Sequence, residues 1–403
     1  MPPAAASGLD ALVVGAGVGG LTAALALARA GIHVTVLEQA AGLGEVGAGL
    51  QVSPNATRVL FRLGLEDALS ALAFRPEAVE ARGWRRGQVI SRATLGAAAQ
   101  AKYGFPYLHM HRADLISVLG EACRAEPRIT LRTGAAVADC EDDGTPALTL
   151  ESGERLQADM VVGADGIRSR VREALFGPAA PRFTGQVAWR GLIPAENLKD
   201  ADIRPVAALW MGPRAHFVHY FVRGGTLLNF VGVVERDDWR EESWTSRGEA
   251  ADLRRDFAGW RPTVRRIVEA APEDVCFRWA LFDRAPLPEW GRGAVTLLGD
   301  ACHPTLPFMA QGACMAIEDA AVLAGCLSGC SRDAIPLALE RYSALRRPRT
   351  AGIQAGSRRN ARIYHLGAPL SWGRNLAMRA GLGMGAAMDG LYRYDALSAA
   401  GGD

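Results

Sequence analysis

No run of about 18 or more uninterrupted apolar residues occurs in the chain, so nothing in it reads as a membrane-spanning helix. The opening stretch, "MPPAAASGLDALVV", lacks a basic region ahead of an apolar segment and predicts no export signal. Cysteines are few, seven in all and without a C-x-x-C pair, which argues against a disulfide framework and for reduced thiols in a cytoplasm. Cys302 and His303 adjoin, but no second ligand pair lies at zinc-like spacing, so no metal site is expected. An excess of one charge is missing too. The 45 Lys and Arg against 43 Asp and Glu leave a formal net charge of +2. With that balance, the basic stretches "RYSALRRPRT" and "GSRRNARIY" read as solvated helix faces and not as a nucleic-acid surface. What remains is a globular chain of 403 residues, 49% of them apolar, long enough for more than one core.

Periodicity outlines that globule. Leu12–Val14 is a short apolar run, followed by a Gly-rich turn and a helix from about Gly19 to Ala30. Gly31 ends that helix, and "HVTVLE" alternates as a second strand, which completes a β-α-β unit. The stretch "AVEARGWRRGQVISRA" predicts a hairpin turning near Arg86 and Gly87. A helix is expected from about His111 to Ala125, and the apolar run of "QADMVVGADG" ends in Asp165 and Gly166. From Gln186 to about Val234 the pattern becomes strand-rich and aromatic-rich. "AVTLLGD" is a further strand, leading through a Pro-containing loop into the helix "QGACMAIEDAAVLAGCL". The nucleotide-type elements thus occupy both ends of the sequence, with a β-rich block between them. That order predicts one domain built from separated segments and a second domain inserted into it.

Gly15, Gly17 and Gly20 spell G-x-G-x-x-G across the first turn. The first glycine allows a tight turn, the second lets backbone approach a pyrophosphate, and the third lets helix pack on strand. Val18 opens the helix, whose positive end faces the phosphates. Glu38, eighteen residues past Gly20, ends the second strand and suits hydrogen bonding to ribose hydroxyls. This fingerprint alone does not separate NAD from FAD. Two later elements bear on that choice. "GADGIRSRVR" places Asp165 and Gly166 after a strand, with Ser169 and Arg172 starting a helix, and "LLGDACHPTLPFMAQGACMAIEDAA" places Asp300 after another. A cofactor held by two helix starts and a mid-chain loop is more extended than NAD usually is.

With these three motifs in this order, the chain resembles the single-component FAD-dependent aromatic hydroxylases, from Asp10 to "LYRYD". The branch it resembles most contains salicylate hydroxylase, 3-hydroxybenzoate 6-hydroxylase and 6-hydroxynicotinate 3-monooxygenase. The resemblance implies an α/β fold: a Rossmann-like FAD-binding domain of discontinuous segments, an inserted mixed β-sheet substrate domain and a C-terminal helical region. The segments expected are 1–77, 105–182 and 285–350 for FAD, 78–104 and 183–284 for substrate, and 351–403 for the helical tail. It also implies tightly bound, non-covalent FAD, NAD(P)H as a transient co-substrate, and dioxygen activated as a flavin hydroperoxide. Glu38 would hold the adenosine ribose, Arg112 the phosphate or ribityl region, and Asp300 the ribityl chain. Asp165 and Gly166 would lie near the pyrophosphate, in a motif linked to nicotinamide-cofactor binding. Gly312 and Ala313 would offer backbone N–H groups to the pyrimidine side of the ring. Gly47 and Gly49, in "EVGAGLQVSPNA", would leave the ring room to swing. Many relatives have Asn where this chain has Cys314, which reads as a small packed residue or, alternatively, a redox thiol.

The substrate side is read from "HFVHYFVRGGTLLNFVGVV", a hairpin with Gly224 and Gly225 as its two-residue turn. Alternation puts His216, Val218 and Tyr220 on one face, and the turn sets Tyr220 opposite Asn229. Residues matching His216 and Tyr220 line the substrate pocket in the resembled branch. His216 is expected to help deprotonate a substrate phenol, because an imidazole titrates near neutral pH. Pro307 matches a proline whose carbonyl lies near the reacting oxygen. Phe308 stands where the hydroxynicotinate enzyme has a histidine, and with Met309 it predicts an apolar wall. Arg190 and Arg223 are both candidates for a substrate carboxylate. The expected reaction is hydroxylation of a small phenolic, salicylate-like acid. A non-oxygenating flavoprotein and a flavin-binding protein without turnover stay open, as does a homodimer. A flavin halogenase is disfavoured, because "WRGLIP" lacks the second Trp of W-x-W-x-I-P.

Overall fold

Burial on both faces marks the first strand as a central one. In the computed structural model, which describes residues 8–44, 48–237, 248–272, 276–382 and 384–401, Asp10–Val14 is buried from Ala11 onward. The helix Val18–Arg29 follows, and Gly31 turns the chain at φ +87°. His33–Glu38 then returns parallel to the first strand, with Val36 beside Val13. This unit seeds a six-stranded sheet ordered Gly291–Arg292, Val295–Leu297, Met160–Gly163, Asp10–Val14, His33–Glu38, Ile129–Thr133. Its pairs are parallel except at the edge formed by Gly291–Arg292. Helices Val18–Arg29 and Gly312–Leu327 pack on each other and share the main apolar core with this sheet.

The second large sheet has seven strands, ordered Phe277–Asp283, Arg182–Pro194, Leu227–Glu235, Ala215–Val222, Ala207–Gly212, Ala78–Gly83, Val89–Thr94. The hairpin of residues 78–94 therefore joins strands far along the chain, through a parallel pairing with Ala207–Gly212. Gly224 (φ +61°) and Gly225 (φ +98°) form the expected two-residue turn, closed by Thr226 N–H donating to Arg223 O at 3.1 Å. Tyr220 accordingly pairs with Asn229. Phe217, Trp210 and Phe230 point to the face covered by helices Ala250–Asp256 and Pro262–Glu269. His216, Val218 and Tyr220 point to the other face, which lines the main cavity.

One expected boundary falls within a helix. Residues 350 and 351 lie inside an unbroken helix, Ile335–Tyr364, which runs on through Pro348. The separate C-terminal helices begin only with Leu370–Arg379. The long helix is tied to its neighbour by buried charge. Arg346 Nη2 lies 2.7 Å from Glu318 Oε2, and Arg346 Nε lies 2.7 Å from Asp319 Oδ1, with all three side chains fully buried. Burial alone would raise the Asp319 carboxyl, but His303 and Arg346 beside it outweigh that and hold it below the usual range. Asp319 also lies near Cys302 and His303, within reach of a common metal ion, a third group that sequence spacing did not suggest. Its oxygens already take hydrogen bonds from Gly299 N, Arg346 Nε and the His303 ring. Burial also pushes the Cys302 thiol up. The cluster is thus built as an ion-pair network. All seven cysteines are free thiols. Among the described residues no helix is long and apolar enough to cross a membrane.

Arg346→Met would remove the cation shared by two buried carboxylates, leaving Glu318 to Arg349 and Asp319 to His303. The expected loss is about 3–5 kcal/mol of unfolding free energy, read by urea denaturation with tryptophan fluorescence. A loss below about 1 kcal/mol, the worth of an exposed pair, would contradict this account.

Candidate active site

The five parallel strands of the six-stranded sheet deliver their C-terminal ends to one cavity of about 2070 Å³. That is where an open α/β sheet places its ligand. The first turn is built for close approach. Gly15 sits at φ +98°, and a Cβ there would lie 2.6 Å from Ala164 O. A Cβ on Gly20 would lie 1.9 Å from Gly15 O, so Gly20 supports the turn without lining the cavity. A Cβ on Gly17 would meet nothing within 4 Å, which leaves bare backbone facing the cavity beside Val18. The Val18–Arg29 helix has no side-chain cap at Gly17, so its first-turn amides are left for a ligand. Glu38 is fixed in place: Oε2 accepts from Ala16 N at 2.8 Å and Oε1 from Ala40 N at 2.9 Å. Its remaining lone pairs face the cavity it lines.

Further along the cavity lie Arg112, Asp165, Asp300, Gly312 and Ala313. Asp300 opens onto the cavity between protein walls. Burial and nearby Asp319 raise its carboxyl, whereas His303 and Arg112 lower it, and the net shift is upward. Asp165 Oδ2 accepts from Arg170 N at 2.7 Å and Val171 N at 3.3 Å, so it also caps the start of the Arg170–Phe176 helix. The Gly312–Leu327 helix starts at Gln311 with no side-chain cap. The Gln311 amide is committed elsewhere, donating to Ser53 Oγ at 3.0 Å and accepting from Asn55 Nδ2 at 3.1 Å. Cys314 is fully buried and does not line the cavity; burial pushes its thiol up to about 11, which removes its thiolate character. Gly49 lines the cavity and donates its N–H to Asn229 Oδ1 at 2.7 Å, while Gly47 lies outside the described residues.

At the far end, His216, Val218 and Tyr220 meet Pro307, Phe308 and Met309 across the cavity. Phe308 stacks edge-on against His216 at 5.0 Å, and its carbonyl accepts from Tyr364 Oη at 3.1 Å and Asn360 Nδ2 at 3.2 Å. The Pro307 carbonyl accepts from Ala310 N at 3.0 Å. Burial raises the Tyr220 phenol and keeps it protonated. His216 departs from the near-neutral titration expected of it. Burial, aided by adjacent His365, lowers its pKa well below the ordinary range, so the ring is neutral at physiological pH. Arg190 lines the cavity, but Arg223 does not: it is spent on a two-oxygen pairing with Asp114.

Residues 8–357 match the family described as "FAD binding domain". The chain is 40% identical over 354 residues to a 3-amino-4-hydroxybenzoate 2-monooxygenase of Streptomyces platensis, covering 88% of each protein. It is 39% identical over 352 residues to a 6-hydroxynicotinate 3-monooxygenase of Pseudomonas fluorescens, covering 86% of this chain and 90% of that one. The chain belongs to the FAD-dependent aromatic hydroxylases. A salicylate hydroxylase with bound substrate shares the fold of the hydroxylase at a TM-score of 0.83 and 26% identity, over 98% of both chains. FAD is the cofactor of this family, and the donor set fits it: bare backbone at Gly17, two uncapped helix starts, and a pre-held Glu38.

Sequence reasoning missed several groups of the hydroxylase. His365 bonds His216, Glu235 bonds His365, and Gln51 accepts from Tyr107. None belongs to a local motif. Glu318 and Asp319 did leave a signal, as two adjacent acids inside an otherwise apolar helix. Gly20→Ala is expected to overpack the turn by about 1–3 kcal/mol and to yield protein with little bound flavin, read from visible absorbance. Full flavin content in that variant would contradict the turn's role.

Proposed function

We propose that the hydroxylase inserts one atom of dioxygen into a phenolic aromatic acid of salicylate type. The second atom leaves as water, and NAD(P)H supplies the electrons. Bound FAD carries the electron transfer and the oxygen activation; the chain's own residues do the rest. The observation that carries the reading is His216, which lines the cavity while its Nδ1 is engaged by His365 Nε2 at 2.7 Å. Its Nε2 is the nitrogen left to accept a phenolic proton. A phenolate is far richer in electrons than a phenol, which is what attack on an electrophilic oxygen requires. Tyr220, protonated and one step along the same strand face from Val218, orients the phenolic oxygen as a donor. Phe308, Met309 and Val218 make an apolar wall that excludes water from the reacting centre. The uncapped start of the Gly312–Leu327 helix would stabilise negative charge on bound, reduced flavin. The matched relatives act, by name, on hydroxylated aromatic acids.

Arg190 is assigned to the substrate carboxylate. It pairs across the sheet with Val231, which pairs in turn with Val218, so it stands level with Val218 on the cavity face. Its guanidinium lies 4.9 Å from the Trp279 ring. Arg190→Gln is expected to raise KM for the acid by about 10- to 100-fold, the worth of one charge-assisted hydrogen bond. An equal rise for the matching phenol without a carboxylate would contradict the assignment.

The test of the reaction is a panel of hydroxybenzoates and hydroxypyridine carboxylic acids, followed by NAD(P)H oxidation and product mass. At least one phenolic acid should stimulate oxidation and gain one oxygen. His216→Asn should keep its flavin and lose about 100-fold in kcat. A panel in which no acid is oxygenated would sink the proposal, and product formed equally without air would favour a reductase.

A further inference from the structure

Behind His216 a line of hydrogen-bonding groups leads out of the cavity. His216 is the second residue of the strand Ala215–Val222. Its Nδ1 lies 2.7 Å from His365 Nε2, at the C-terminal end of the long helix. His365 Nδ1 lies 2.9 Å from Oε1 of Glu235, the last residue of the neighbouring strand. The two histidines are 2% and 6% exposed, whereas the Glu235 side chain is 35% exposed and reaches solvent. Backbone bonds hold the three in register: Arg214 N donates to His365 O, and Glu235 N donates to Arg214 O, each at 2.9 Å.

The tautomers agree with one direction of flow. If Nε2 of His216 is to accept a proton, its Nδ1 carries hydrogen and donates to His365 Nε2. His365 Nδ1 then carries hydrogen and donates to the Glu235 carboxylate. Burial depresses both imidazoles, and only Glu235 opposes that for His365. A proton taken up at His216 therefore has little reason to stay there. Among the described residues, the charged groups around the cluster are Glu235, its partner Arg214 at 3.3 Å, and Arg374, which donates to the Ile363 and Tyr364 carbonyls. Tyr364 is the other titratable neighbour; its hydroxyl is bonded to Phe308 O and burial keeps it protonated.

We propose that His216, His365 and Glu235 form a proton channel between the substrate phenol and solvent, an inference that rests on the reading of His216 as the phenol's proton acceptor. The phenolic O–H breaks as an N–H forms at His216 Nε2. The Nδ1 proton of His216 passes to His365 Nε2, the Nδ1 proton of His365 passes to Glu235, and Glu235 releases a proton to water. When product leaves as a phenol it takes the Nε2 proton, and the chain refills inward from Glu235. His365 and Glu235 are positioning and relay residues; neither touches substrate.

The test uses flavin-loaded enzyme with salicylate, 3-hydroxybenzoate, 3-amino-4-hydroxybenzoate and 6-hydroxynicotinate as probes, taking the one turned over fastest. His365→Phe, Glu235→Gln and His216→Asn are compared with the parent across the pH range, with flavin content recorded for each. The relay predicts that His365→Phe and Glu235→Gln each lose on the order of tenfold in kcat at neutral pH. The loss should shrink as alkali ionises the phenol unaided, with KM little changed. A merely structural role would lower kcat evenly at all pH or reduce flavin content. If His365→Phe fails to hold flavin, the isosteric Glu235→Gln carries the test alone. A Glu235→Gln pH profile that coincides with the parent's overturns the relay, and if His216→Asn is impaired the base reading survives it. A normal His216→Asn, or no turnover of any probe, overturns the parent reading and the relay with it.

Discussion

Two helices of the hydroxylase begin at the same cavity with no side chain to cap them, and the rest of the molecule is arranged around that fact. The starts of Val18–Arg29 and Gly312–Leu327 each leave first-turn amides unsatisfied by the helix itself. Their positive ends open onto one cavity, where they favour negative charge such as the phosphates of FAD carry. Water can satisfy such amides, and a bound anion satisfies them with the helix charge in its favour. The two helices pack directly on each other, so the spacing of their starts is set by a shared apolar core and not by a loop. The Arg346 pairing with Glu318 and Asp319 ties the second helix to the long C-terminal one, and so to His365 at that helix's end.

The substrate half solves a different electrostatic problem. A cavity that excludes water strengthens the chemistry on a phenolate but weakens any histidine meant to produce it, because burial disfavours imidazolium. His216, the base proposed above, meets that conflict with its pKa driven down by the enclosure and by a second histidine. The relay proposed through His365 to Glu235 offers a way out, since charge need not accumulate in the cavity. The same strand carries Tyr220, whose place opposite Asn229 also brings Gly49 within hydrogen-bonding distance of the sheet.

Most of the cofactor half was legible in the sequence because its constraints are local. Gly15, Gly17, Gly20 and Glu38 belong to one β-α-β unit, and the spacing of their roles follows from backbone geometry within it. The hairpin at Gly224 and Gly225 was legible for the same reason: turn type fixes register, and register fixes which of His216 and Phe217 faces the cavity. The groups that act at long sequence separation were not legible. His365 lies 149 residues from His216 and 130 from Glu235, and nothing around it forms a pattern. Arg223 looked as plausible as Arg190 from charge alone; only the fold revealed Asp114 beside it. The unbroken run of the helix Ile335–Tyr364 across residues 350 and 351 was not legible either, because its burial depends on partners far away in the chain, such as Glu318 and Asp319.

The measurement that bears most directly on the central claim is turnover under isotopically heavy dioxygen, with the product oxygen analysed by mass. The account requires one heavy oxygen atom in each molecule of hydroxylated aromatic acid, with none introduced from heavy water. Product whose new oxygen derives from water, or NAD(P)H consumption that yields hydrogen peroxide alone with every phenolic acid, would contradict it.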